Sequence, residues 1–153
     1  MRLLLDDNVV IDYLAVRKPF YADARLIMLL GACNEGELWL GAHQINDIYY
    51  VVSEGGKKSH NPLWQNRLRQ LREFVRICGV QEADIDASLD LEWDDFEDAC
   101  VHQCAQKVRA DFIITRDREG FRRSQIPVMS PHDFFEWLKE HRGLMYEEVY
   151  LTD

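Results

Sequence analysis

No apolar run in this chain of 153 residues is long and unbroken enough to cross a bilayer, which excludes a membrane-spanning helix. There is no low-complexity tract and no internal repeat, so fibrous and solenoid architectures are excluded as well. Basic residues are in deficit: 18 Lys and Arg stand against 27 Asp and Glu, a net charge of −9. Such a balance argues against simple non-specific nucleic-acid binding, which needs basic surface. The four cysteines include no CxxC pair. Cys100 and Cys104 lie one helical turn apart, but no second His/Cys pair completes a zinc site, so all four read as reduced, mostly buried thiols. The phosphate-cradling pattern GxxxxGK[ST] is missing, and no Ser/His/Asp or Cys/His set is evident. The N-terminus, Met1 to Asp6, reaches an acid too soon for a signal peptide, and the expected location is cytoplasmic.

What remains is a single domain's worth of chain with ordinary composition, 47% hydrophobic and 29% charged, whose charges are unevenly spread. Residues 84–106 hold eight acids and neither Lys nor Arg, whereas residues 116–123 hold four arginines, Arg116, Arg118, Arg122 and Arg123. An acidic centre beside a basic rim suits a metal site that handles a polyanion.

Short apolar runs alternate with amphipathic stretches. Strands are expected at Arg2–Leu5, Leu38–Leu40, Phe74–Val80, Phe112–Thr115 and Ile126–Met129. Helices are expected over Val9–Val16 with Asn8 as N-cap, over Tyr21–Asn34 ended by Gly36, over Ile45–Val52 and over Leu63–Phe74. A further helix opens at a capping-box-like Asp94 and Glu97 and buries Phe96, Ala99, Cys100, Cys104 and Val108; the last has Pro131 in its first turn and runs to Glu140. Strands that are apolar throughout, alternating with helices, predict an α/β fold: a three-layer α/β/α sandwich around a central parallel sheet of about five strands. In such sheets ligands bind beyond the carboxyl ends of the strands, where the strand order switches.

Four aspartates stand at such places. Asp6 directly follows the first strand, and Asp117 follows the Phe112–Thr115 strand by two residues. Asp98 sits past the cap of its helix on the same face as Asp94 and Asp95, and Asp47 lies near the apolar stripe of the Ile45–Val52 helix, where an unpaired carboxylate costs several kcal/mol. Asp7 reads as a solvated turn residue, Asn8 as a cap or site-shaping donor, and His102 as a surface residue or a support for the acids rather than a ligand. Carboxylates brought together from so far apart in sequence repel one another unless a cation holds them, and a hard divalent ion prefers oxygen ligands.

The run Leu3-Leu4-Leu5-Asp6-Asp7-Asn8-Val9 resembles the opening of PIN-domain nucleases, VapC-like toxin ribonucleases among them. Asp95-Phe96-Glu97-Asp98-Ala99 resembles the third-acid segment of that family, Phe112 to Asp117 the fourth, and Ile126 to Phe134 the closing strand and helix. The resemblance implies a PIN-like fold and a Mg²⁺- or Mn²⁺-dependent ribonuclease site. Asp6, Asp98 and Asp117 would be the metal ligands, and Asp47 would fill the second-acid position, where many members carry Glu. Asn8, Asp95 and Thr115 would support the site, and Arg116, Arg118, Arg122 and Arg123 would hold the RNA backbone, with Lys57 and Lys58 a second possibility. A type II toxin with an antitoxin partner is the implied role; a catalytically inactive binding module of the same fold is the alternative. A phosphoacceptor receiver domain fits less well, because Ile77-Cys78 leads into Gly79 rather than an Asp and Ser130-Pro131 replaces the required Lys. Residues 1–142 are expected to form the domain. The apolar tail 143–153, with Leu144, Met145, Tyr146, Val149, Tyr150 and Leu151, is expected to pack on it or to mediate a homodimer or antitoxin contact.

Overall fold

Leu3, Leu4 and Leu5 are each fully buried in the computed structural model, which describes residues 1–146. They lie in the central strand β1 (Arg2–Leu5) of a sheet covered on both sides. Side chains alternate across a strand, so Leu3 and Leu5 enter one core while Leu4 enters the other. That alternation explains why the run is apolar throughout.

The chain continues through α1 (Asp7–Leu14), α2 (Tyr21–Ala32), β2 (Glu37–Gly41), α3 (Ala42–Val52), α4 (Asn61–Leu71) and β3 (Val75–Cys78). It then forms α5 (Glu82–Asp90), α6 (Phe96–Lys107), β4 (Phe112–Ile114), β5 (Val128–Met129) and α7 (Pro131–Arg142). The sheet is parallel throughout in the order β3-β2-β1-β4-β5. Helices α1, α2, α3, α4 and α7 supply the larger core, and α6, backed by α5, supplies the smaller one against Leu4, Cys78 and Ile113. The expected three-layer α/β/α sandwich is therefore observed. The strand order reverses between β1 and β4, and there the turns after Leu5 and after Ile114 lie side by side.

Local departures have physical reasons. The cap of α1 is Asp6, whose side chain accepts the Asp7 N–H; Asn8 lies inside the helix. Helix α2 ends at Ala32, and Asn34 takes the left-handed turn (φ 58°) expected near Gly36. Helix α5 was hidden in the acidic stretch, because its only buried residue is Ser88 and it carries no apolar stripe. Asp95, not Asp94, caps α6, accepting N–H bonds from Glu97 and Asp98, and this one-residue rotation leaves Phe96 45% exposed. The three buried thiols Cys78, Cys100 and Cys104 and the exposed Cys33 are all free. At the far end Gly143 closes α7 in the left-handed region (φ 63°), and the Tyr146 hydroxyl donates to Glu35 Oε2 at 2.6 Å. Val149, Tyr150 and Leu151 of the expected tail contact lie outside the described residues. Among the described residues no helix is long and apolar enough to cross a membrane.

Leu4 is fully buried in the α6-side core. Leu4→Ala is expected to lower unfolding free energy by about 2–5 kcal/mol in denaturant titrations, whereas Leu89→Ala, at a 57% exposed position of α5, stays close to wild type.

Candidate active site

Asp6 is 5% exposed at the switch point, and three donors hold its carboxylate. Oδ1 accepts the Asp7 N–H at 2.8 Å, while Oδ2 accepts Asn8 Nδ2 and the Thr115 hydroxyl, each at 2.6 Å. The Thr115 oxygen in turn accepts Asn8 Nδ2 at 3.0 Å and the Asp117 N–H at 2.9 Å. Asn8 Oδ1 accepts the Arg116 N–H at 3.1 Å. The turn after β1 and the turn after β4 are thus one hydrogen-bonded unit, in which the Thr115 hydroxyl both donates and accepts. Burial is the largest influence on Asp6 and raises its pKa; these donors pull it back down, and the charge of Asp117 raises it.

Asp98, in the first turn of α6, and Asp117 converge at Gly120. A Cβ on Gly120 would collide with Asp98 Oδ2 and lie 3.2 Å from Asp117 Oδ2. The Gly120 N–H donates to Asp117 Oδ1 at 3.1 Å, which fixes the turn. Burial, then the charges of Asp6, Asp95 and Asp117, push Asp98 up to about 7. These two acids, with Asp95 and the Arg122/Arg123 pair, line a cleft of about 270 Å³.

Two acids outside the four-aspartate set belong to the same cluster. Asp7 is half-buried rather than solvated, accepts Gln44 Nε2 at 2.8 Å, and is pushed to about 7 by burial first and then by Asp6, Asp47 and Asp98. Gln44 is fully buried: its Oε1 accepts the Gly41 N–H and its Nε2 also donates to the Leu5 carbonyl, so it ties α3 to the end of β1. Glu97 is pushed to about 8 by burial and four neighbouring aspartates, and its buried Oε1 has no hydrogen-bond partner. One oxygen each from Asp6, Asp7 and Glu97 lie within 4.8 Å of one another, and so do oxygens of Asp95, Glu97 and Asp98. Glu97 reads from sequence as half of a capping box; the signal that would have found it is the cap itself, since capping by Asp95 leaves Glu97 free to turn inward. An all-oxygen set with an orphaned buried oxygen at its centre fits a hard divalent ion such as Mg²⁺ or Mn²⁺.

Neither Asp117 nor Asp47 belongs to these groups: Asp117 lies beside Asp98 at Gly120, whereas Asp47 is exposed on α3, away from the apolar stripe, and only its charge reaches Asp7 and His43. Asp95 caps α6 and lies in one acid group with Glu97 and Asp98. His102 is not a surface residue. It is 2% exposed, its ring tilted by 34° against Trp93 with centroids 4.8 Å apart, in contact with Ser124 Oγ through Nδ1, and burial lowers its pKa. The arginines are all engaged: Arg116 with Asp12, Arg118 with Asp133, Arg122 with Asp94 and Glu119, and Arg123 with the carbonyls of Leu91 and Glu92. Lys57 pairs with Glu54.

A parallel α/β sheet with carboxylates gathered at its switch point defines an α/β protein with an acidic site whose oxygen donors fit a hard cation. The sequence matches the family model of the PIN domain over residues 2–119, and the chain belongs to that family. No curated protein matches it. Among solved structures, VapBC2 from Rickettsia felis bound to a promoter DNA fragment is similar with a TM-score of 0.63 at 16% identity, covering 85% of this chain and 98% of the other. A toxin–antitoxin complex from Klebsiella pneumoniae is similar at 0.56 and 24% identity, covering 84% and 97%, and FitAcB from Neisseria gonorrhoeae at 0.59 and 16%, covering 85% and 98%. At these identities the likeness is one of fold.

Acids held above their ordinary values keep their protons in the native state. Unfolding releases them, so the site weakens the fold as pH rises through the unfolded value near 4, and the full cost is present above about 7 to 8. Asp98→Asn is therefore expected to raise the melting temperature of protein in EDTA at pH 8 by roughly 2–4 °C, the shift of about 1 kcal/mol, and by less at pH 4.5. A larger gain at the lower pH would contradict the arrangement.

Proposed function

We propose that this protein is a divalent-metal-dependent endoribonuclease, acting as the toxin of a type II toxin–antitoxin pair. PIN domains are generally nucleases, and the observation that carries the reading is Glu97 Oε1, buried without a partner among Asp6, Asp7, Asp95 and Asp98. The nearby arginines direct their N–H groups to Asp12, Asp94, Glu119 and Asp133 instead of to these acids.

Asp6, Asp98, Asp117 and Glu97 would hold Mg²⁺ or Mn²⁺, with Asp47 a more distant charge. The bound ion would lower the pKa of a water molecule and offset charge developing on the phosphate. Asn8 and Thr115 orient the Asp6 carboxylate. Gly120 leaves room for the Asp98 and Asp117 carboxylates to face one another. The raised acids release protons when the ion enters, so metal affinity rises with pH. Arg118 and Arg122, on the rim, contact the RNA backbone by exchanging exposed ion pairs, which are individually weak, and Arg123 by giving up its bonds to the Leu91 and Glu92 carbonyls.

The structures of toxin–antitoxin complexes that share the fold support an antitoxin partner, and exposed Tyr50, Val51 and Leu63 on α3 and α4 are apolar surface of the kind partners cover. A cytoplasmic homodimer completes the reading.

Mn²⁺ is expected to raise the melting temperature of the wild type but not of Asp6→Asn or Asp98→Asn; equal shifts in all three would refute metal binding here. Single-stranded RNA is expected to be cut with Mg²⁺ or Mn²⁺, not in EDTA, and not by Asp6→Ala. Cleavage without metal stimulation by the wild type would point elsewhere, and a folded wild type that binds Mn²⁺ yet cuts nothing would favour the inactive binding module. Gly120→Ala, which drives a methyl group into Asp98, is expected to slow cleavage by roughly 10²-fold while the fold persists.

A further inference from the structure

Arg116 differs from the other rim arginines. Its Nε donates to Asp12 Oδ2 at 2.6 Å and its Nη2 to Asp12 Oδ1 at 3.3 Å, and Asp12 is 1% exposed. The guanidinium lies 4.0 Å over the ring of Phe20, itself 42% exposed. One edge of the guanidinium is committed to a buried carboxylate and its plane is backed by an aromatic ring. Such an arginine is a poor mobile clamp for phosphate. It is a fixed, flat, cationic platform, the surface on which an unstacked base settles.

The platform opens into a cleft of about 560 Å³, which Pro19, Phe20, Asp23, Pro131 and His132 also line. The platform is tied to the acid site through the chain, because the Arg116 N–H donates to Asn8 and the adjoining Thr115 hydroxyl donates to Asp6. Its lining is more apolar than polar, unlike that of the acidic cleft beside Asp98.

We propose that this cleft takes one unstacked nucleobase of the single-stranded RNA whose backbone lies at the acid cluster, with the Arg116–Phe20 pair as the stacking surface. The proposal rests on the ribonuclease reading and adds a base subsite to it. A flat π-face accounts for the use of proline, aromatic ring and guanidinium plane.

The test uses a short fluorescein-labelled oligoribonucleotide and a series of it with one abasic site moved along the strand. Anisotropy is measured in Ca²⁺ with wild type, Phe20→Ala and Phe20→Tyr, and cleavage in Mn²⁺ is followed in parallel. One abasic position is expected to weaken binding by roughly 5- to 100-fold, the worth of one base stack. Phe20→Ala weakens the intact strand by a similar factor and adds no loss at that abasic position, and Phe20→Tyr restores affinity. Phe20 is exposed, so thermal melts verify that the variant stays folded. Equal binding by wild type and Phe20→Ala, equal effects of all abasic positions, or a loss seen only toward a protein partner would each overturn the subsite. If the wild type cuts RNA while Phe20 is without effect, the subsite alone fails. If Phe20-dependent base binding persists without any cleavage, the nuclease reading alone fails.

Discussion

Mutual repulsion among buried carboxylates is the constraint around which this protein is organised. Asp6, Asp7, Glu97 and Asp98 all sit above their ordinary pKa values, and burial is the first cause for each. Only Asp6 has three hydrogen-bond donors, and hydrogen bonds to a charged group are worth about 1.5–3 kcal/mol each. Asp6 can therefore stay in place without a cation, while Glu97 has an oxygen with no partner at all. The division is physical: one acid is anchored by the fold, and the others are gathered around a space that a cation would complete.

That division explains what the sequence discloses. Leu3-Leu4-Leu5 is apolar at every position because both faces of β1 are covered, and this one run announces the layered architecture and places Asp6 at its end. Asp117 is legible for the same reason, since it follows the fully buried Ile113 and Ile114. Asp7, Gln44 and Glu97 are not legible, because their roles depend on which residue caps a helix and on a contact between elements far apart in the chain. Gln44 reaches from α3 to Leu5 and Asp7, a contact no local pattern contains. Asp47 shows the opposite error: angular spacing placed it near the stripe, but α3 turns the carboxylate to solvent.

The arginine cluster carries a similar lesson about charge runs. Read linearly, Arg116, Arg118, Arg122 and Arg123 form a basic rim; in space each has a local acceptor. The acceptors differ in kind. Arg118 and Arg122 pair with exposed acids that water and phosphate can displace, whereas Arg116 is bound to an Asp12 that has no other access to solvent. Removing the Arg116 charge would strand a buried carboxylate, a change costing about 3–5 kcal/mol, so its position is a property of the fold as much as of the site.

The same logic connects stability to activity. On the proposed reading the carboxylate cluster weakens the fold, and replacing its members with amides would improve stability and abolish the proposed cation site. Gly120 is the narrowest point of that compromise. It has no side chain, so the Asp98 and Asp117 carboxylates can both lie against it, and its N–H holds Asp117 in place. Any larger residue would relieve the repulsion by pushing the two acids apart. On the proposed reading the strain and the chemistry have one source, so a substitution that relaxes the first also removes the second.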